Sequence, residues 1–132
     1  MKKDFEIPVA KEVIVAIVRE WNEEFQCHDW NAYLVNNKDT AIEMVFVTTK
    51  GFDNKVKTSV MRHGLGTVQS KSSVKIELIQ EDLLKLNNEF FVTFFGLDGV
   101  LYERRFLFRK NTINEKATQE IPLLKSRGVL CN

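Results

Sequence analysis

A chain of 132 residues, 44% apolar and 28% charged with a net charge of +1, has the size of one domain and enough apolar content to bury a core without disulfides or a structural metal. Two cysteines, Cys27 and Cys131, are too few for a disulfide framework and are expected as free thiols. No stretch approaches the roughly 18 consecutive apolar residues of a membrane-spanning helix.

The near-neutral total conceals segregation. Glu12 to Glu43 holds seven acidic residues against two basic, Lys50 to Lys75 six basic against Asp53 alone, and Ile76 to Glu103 six acidic against Lys85. Such blocks are first of all solvated strand faces and loops, and secondly a polarised field that could draw an anionic partner. The leading residues, Met1-Lys2-Lys3-Asp4-Phe5-Glu6-Ile7-Pro8, place acids and a proline where a secretory leader has an apolar core, so a cytoplasmic protein is expected.

In chain order, Val13-Ile14-Val15-Ala16-Ile17-Val18 is a β-branched run bounded by charges and predicts a buried strand over about residues 12–20. Trp21 to Asp29 reads as a polar connection. Trp30 to Asn36 and Thr40 to Thr49 frame Asn37-Lys38-Asp39 as a hairpin. Strict alternation in its return strand puts Ile42, Met44, Phe46 and Thr48 on one face and Glu43, Val45, Val47 and Thr49 on the other. The turn cluster Gly51-Phe52-Asp53-Asn54 leads into a fourth strand from Lys55 to Arg62, followed by a Gly64-Leu65-Gly66 loop. Val74, Ile76 and Leu78 alternate with Lys75, Glu77 and Ile79 as a fifth strand, and Glu81 to Leu86 makes one helical turn ended by Asn87-Asn88.

Six of the ten phenylalanines fall between Glu89 and Phe108, around Gly96-Leu97-Asp98-Gly99. Asp98-Gly99 suits a two-residue type I′ hairpin turn, whose central positions need φ > 0. That turn would set Phe95 opposite Tyr102, Thr93 opposite Arg104 and Phe91 opposite Phe106, with Phe94, Val92 and Phe90 against Glu103, Arg105 and Leu107 on the other side. Both sides are apolar at the phenylalanine end. The hairpin must then be covered twice, by a second sheet and the chain's own tail or by a partner. Phe91, Phe95, Tyr102 and Phe106 are accordingly either sandwich core or a partner-binding platform. Seven strands with regular turn signals predict an all-β, immunoglobulin-like antiparallel β-sandwich over residues 1–132, with a small Greek-key or partly open barrel as the alternative. Residues 109–132 form a C-terminal strap, with a short helix from Thr112 to Gln119 and Ile121-Pro122-Leu123-Leu124 packed across the sandwich edge.

Candidate chemistry is sparse. Cys27-His28-Asp29, with His63 and Cys131 elsewhere, supplies metal-ligand types without metal-ligand spacing, because neighbours on an extended chain point in opposite directions. A Cys27 nucleophile would need His63 brought to it by the fold. Glu20, Glu23, Glu24 and Asp29 cluster near Trp21 and Trp30, yet nothing fixes two carboxylates across a cleft as glycoside hydrolysis requires. Lys55, Lys57, Arg62, His63, Lys71 and Lys75 are placed on two neighbouring strands and their loop, where the Gly64-Leu65-Gly66 backbone could face an anion. Only Phe52 lies among them, so the stretch would hold an RNA backbone and not stack its bases. No cofactor is expected.

The stretches Ile7-Pro8-Val9-Ala10-Lys11, Trp30-Asn31-Ala32-Tyr33-Leu34, Met61-Arg62-His63-Gly64-Leu65-Gly66 and Leu86-Asn87-Asn88-Glu89-Phe90-Phe91-Val92-Thr93-Phe94-Phe95 resemble a family of small uncharacterised bacterial β-rich proteins, over nearly the whole chain. The resemblance implies no activity and transfers no functional residue. Some members carry a phenylalanyl-tRNA synthetase alpha-subunit label, but the arginine motifs with which a class II synthetase binds ATP have no counterpart here. The expectation is a non-enzymatic interaction or scaffold module with an unknown protein partner or a second copy of itself. RNA or tRNA backbone binding, and a small enzyme or ligand carrier built on Cys27-His28-Asp29, are the alternatives.

Overall fold

The β-branched run does form a strand, β1 (Val13–Asn22), and Asn22 begins its turn by accepting a hydrogen bond on Oδ1 from the Phe25 N–H at 3.1 Å. Gln26, at φ 52°, completes the reversal, and β2 (Cys27–Asn36) returns antiparallel with Ile17 opposite Ala32. The first hairpin is therefore β1–β2, and the polar connection expected over Trp21 to Asp29 is mostly strand. The computed structural model describes residues 11–131; the Met1-to-Pro8 segment and Asn132 lie outside them.

Asn37-Lys38-Asp39 does not close a hairpin. It carries the chain across to a second sheet, begun by β3 (Ile42–Phe52) and β4 (Met61–Val68). The chain then crosses back for β5 (Ser72–Ile79), passes a 3-10 turn at Glu81–Lys85, and enters the phenylalanine hairpin β6 (Asn87–Gly96) and β7 (Leu101–Phe108). A final short strand, β8 (Gly128–Leu130), is the eighth among the described residues, where the sequence predicts seven by Phe108. The result is all-β, two antiparallel four-stranded sheets in the orders β5-β2-β1-β8 and β4-β3-β6-β7, not closed into a barrel. No helix among the described residues is long and apolar enough to cross a membrane.

The two inner faces make one core. Val13, Val15, Ile17, Ala32 and Leu34 meet Val45, Val47, Phe90, Phe94 and Phe106, each at most 2% exposed. Asn36 is fully buried where the two crossovers meet. Its Nδ2 donates to the carbonyls of Thr40 (3.0 Å), Val68 (3.3 Å) and Gln69 (3.0 Å), and its Oδ1 accepts from the Lys38 N–H at 3.1 Å. Carbonyls from both connections are thereby satisfied by one side chain in a place water does not reach.

Four local expectations need correction. Strict alternation in β3 fails at Met44, which sits at φ 50° in a bulge: Ile42, Val45, Val47 and Thr49 point inward and Phe46 is turned out. Lys55 to Val60 is irregular, and Gly64-Leu65-Gly66 is the middle of strand β4 instead of a loop. The hairpin loop has three residues. Gly99 N–H donates to the Gly96 carbonyl at 2.9 Å, Gly96 N–H to the Val100 carbonyl at 3.0 Å, and Gly99 holds φ 75°, the type I turn plus left-handed residue of a three-residue connection. One extra residue shifts every pair. Phe90 lies opposite Phe106, Phe94 opposite Tyr102 and Phe91 opposite Arg105.

The tail covers a face as well as an edge. Between β7 and β8 only Glu115–Ala117 is helical, a 3-10 turn capped by Asn114 Oδ1 accepting from the Ala117 N–H. Ile121 then packs on the outer face of the first sheet, over Ala16, Val18 and Val35, with Tyr33, Leu124 and Leu130 around it. β8 finally pairs with β1, Val129 opposite Ile17. The approach is so close that a Cβ on Gly128 would lie 2.9 Å from the Ile17 carbonyl oxygen, so a glycine is required there.

Candidate functional site

The strap covers the β1–β2 part of the outer face of one sheet, and among the described residues no comparable segment packs on the outer face of the other. On β4-β3-β6-β7 the register lines up Arg62, Thr48, Phe91 and Arg105 in one row, Gly64, Phe46, Thr93 and Glu103 in the next, and Glu43, Phe95 and Leu101 beyond, with Lys50, Glu89 and Leu107 on the opposite flank. Phe46 is 52% and Met44 60% exposed, Leu101 is exposed, and Phe91 and Phe95 are half-buried. Phe46 lies across Gly64, where a Cβ would come 3.3 Å from its ring, so the glycine gives the aromatic a bed in the edge strand.

Charge on this face is sorted along the strands. At one end Lys50 (3.9 Å) and Arg105 (3.3 Å) share the single carboxylate of Glu89, and Arg105 also sits 5.1 Å from the Phe91 ring centre. The side chains of Arg62 beside them, and of Glu43 and Glu103 at the other end, make no hydrogen bond or ion pair among the described residues.

The four aromatics singled out in sequence divide between two faces. Phe91 and Phe95 belong to the open face. Phe106 is 2% exposed in the core, and Tyr102 stacks on Phe94 at 5.3 Å, with its hydroxyl donating to Asp98 at 2.9 Å. The loop length decides this division. Phe46 and Met44 were not foreseen, because only the bulge turns them out of the pattern.

The six basic-stretch residues do not share a surface either. Lys55 and Lys57 lie in the irregular segment before β4, and Lys71 follows its far end, where Nζ donates to the Asn37 carbonyl at 2.9 Å and approaches Asp39 at 3.8 Å. Arg62 is on the outer face of β4, whereas Lys75 pairs with Tyr33 on the outer face of the other sheet. His63 turns inward, its Nε2 2.7 Å from Glu77 Oε1.

Glu77 belongs to β5, and the same oxygen accepts from Thr49 Oγ1 of β3 at 3.0 Å, so one carboxylate ties the two sheets together along their β4–β5 flank. The tie lines a cleft of about 320 Å³ with apolar walls from Met61, Leu78, Leu83 and Phe90, at the small end of ligand pockets. Among the described residues no nucleophilic side chain is hydrogen-bonded to His63.

Cys27 and His28 are exposed at the β1–β2 tip, His28 edge-on to Trp21 at 5.1 Å, and Asp29 accepts from Asn22 Nδ2 at 2.7 Å. Among the described residues no three His, Cys, Asp or Glu side chains gather closely enough to hold a metal ion. Burial pushes the Cys131 thiol pKa up, which keeps it protonated and poorly nucleophilic.

Glu20 Oε1 accepts from both Tyr33 Oη and Asn31 Nδ2 at 2.8 Å, beside the strap. Burial first, and then the Glu20 carboxylate, push the Tyr33 pKa up to about 12. The folded protein thus keeps a proton that the unfolded chain releases near the ordinary tyrosine value of about 10, so this contribution to stability is whole below about pH 10 and is lost as pH climbs toward 12. Tyr33→Phe is expected to remove one late-titrating phenol and to flatten the fall in stability over that interval. Ultraviolet titration of tyrosinate, with urea unfolding at several alkaline pH values, checks both, and a variant that falls as steeply as the parent would count against the assignment.

Comparison with known proteins returns no match to a family model, a curated protein or a solved structure.

Proposed function

We propose that this chain is a non-enzymatic, cytoplasmic interaction module that docks a protein partner on the outer face of β4-β3-β6-β7. The observation that supports it is the asymmetry of covering: the strap buries Ala16, Val18 and Val35 on the outer face of the first sheet under Ile121, while Met44, Phe46, Phe91, Phe95 and Leu101 stay at the surface of the second. An immunoglobulin-like scaffold is the finer reading, supported by the order of the first seven strands, β5-β2-β1 against β4-β3-β6-β7, with β8 as an addition. The family resemblance adds no activity to this reading. RNA backbone binding has less support, because Lys55, Lys57, Arg62, His63, Lys71 and Lys75 occupy separate faces and ends. A ligand carrier at Cys27-His28-Asp29 has less support, because Cys27 and His28 are exposed at the tip of a hairpin.

A photo-crosslinking residue placed at Phe46 or Phe95, compared with one at Lys75 on the other sheet, tests the proposal in cells. Protein adducts from the first two positions only are expected. Adducts from all three alike, or from Lys75 alone, would sink it.

A further inference from the structure

We infer that the open face is a two-fold interface, occupied by the same face of a second copy turned end for end; this rests on the docking reading above and names its occupant. The argument is the charge order along the strands. Among the described residues, one end carries Lys50, Arg62 and Arg105 against Glu89, and the other carries Glu43 and Glu103 without an ion-pair partner, with Phe46, Phe91 and Phe95 between and beside them. Such a dipolar face is complementary to itself in one orientation only.

A two-fold axis along the strands would lay β4 over β7 of the second copy and bring Arg62 onto Arg105, like on like. An axis across the strands keeps each strand over its own copy and reverses its direction. Arg105 then meets Glu103 of the second copy, Lys50 meets its Glu43, and each contact occurs twice. Phe46 comes over Thr48 and Phe91 over Thr93, aromatic rings on threonine methyls, with Leu101 over Leu107 at the β7 side. Sheet twist leaves the facing strands about 30° from antiparallel, as in aligned sheet packing. Four strands about 4.8 Å apart over about 25 Å of length give a footprint of about 500 Å². That is below the roughly 800 Å² per partner of a stable complex, so the dimer is reversible, with a dissociation constant in the micromolar range.

Sedimentation velocity on the full chain from about 1 to about 200 µM tests this. The parent protein is expected to shift from monomer to dimer with concentration. Glu103→Arg and Arg105→Glu, each alone, raise the dissociation constant at least about tenfold, because two like-charge contacts replace two attractive ones. An equimolar mixture of these two variants is expected to dimerise again, since position 103 of each then opposes an unlike charge at position 105 of the other. Circular dichroism confirms that each variant is folded. A parent that stays monomeric throughout, or variants whose mixture does not associate, overturns the inference. If a monomeric parent still yields adducts with another protein from Phe46, the docking reading survives and the second copy does not. A dimer that charge reversal at 103 and 105 leaves intact overturns the end-for-end arrangement.

Discussion

Phe106→Ala is expected to cost about 3–5 kcal/mol, while Phe91→Ala costs about 1 kcal/mol or less. Phe106 is 2% exposed, opposite Phe90 in the hairpin, and truncating it opens a cavity that neighbours on a rigid sheet cannot fill. Phe91 is on the open face, where its loss exposes the stem of Arg105 and little else. The contrast tests the hairpin register directly. With a two-residue turn the two rings would face each other on the same side of the sheet, and their removal would cost similar amounts. Urea unfolding followed by circular dichroism measures both, and equal losses would refute the three-residue loop.

Asn36→Asp is expected to cost at least about 3 kcal/mol at neutral pH, although the two side chains have the same shape. In the parent, Nδ2 donates to three carbonyls at once. A carboxylate in that place would turn an acceptor toward three acceptors, buried and, among the described residues, with only backbone groups bonded to it. The charged form is therefore disfavoured by the fold, and the introduced Asp titrates above its unfolded value of about 4. By linkage, the variant is most stable below that value and loses stability as pH rises through the folded pKa. Urea unfolding at acid and neutral pH is expected to show the variant approaching the parent in acid. A penalty independent of pH would mean that the amide is not the tie between the crossovers.

The parts of this fold that sequence predicts are those fixed by local chemistry. Val13 to Val18 is β-branched and apolar enough to favour a buried strand over a helix, and the Glu89-to-Phe108 hairpin announces itself by its aromatics and its Asp98-Gly99 step. What is not local is misread. Asn37-Lys38-Asp39 has turn composition, but a hairpin turn and a crossover between sheets use the same residues, and only the partner available to Ile42 distinguishes them. Gly64 and Gly66 look like a loop because glycine normally weakens a strand, yet Phe46 lies across Gly64 from the neighbouring strand and supplies the missing surface. A bulge at Met44 is one residue of excess that no periodicity announces, and it decides that Phe46 and not Val47 meets solvent.

The candidate site follows the same division. Sequence leaves Phe91, Phe95, Tyr102 and Phe106 as either core or platform; the three-residue loop sets Phe91 and Phe95 half-buried on the outer face and Tyr102 and Phe106 on the inner one. The basic residues were close in sequence but fell on either side of a strand, so their proximity carried no information about a shared surface. Glu77 joining Thr49 and His63 was invisible, since it depends on two sheets meeting at their flank.

The pairing of Ile17 with Val129 bears on how the chain reaches this state. Contacts between residues so far apart in sequence form only after a large loss of chain freedom, and they belong to the slow, late part of folding. Until then β1 is a β-branched strand paired on one side, the kind of edge that recruits other chains. The strap and β8 therefore act in time as well as in space: they set how long the nascent fold stays open to aggregation. With only three residues, β8 is held by few ladder contacts, and hydrogen exchange in the middle of β1 is expected to report how often it unlatches.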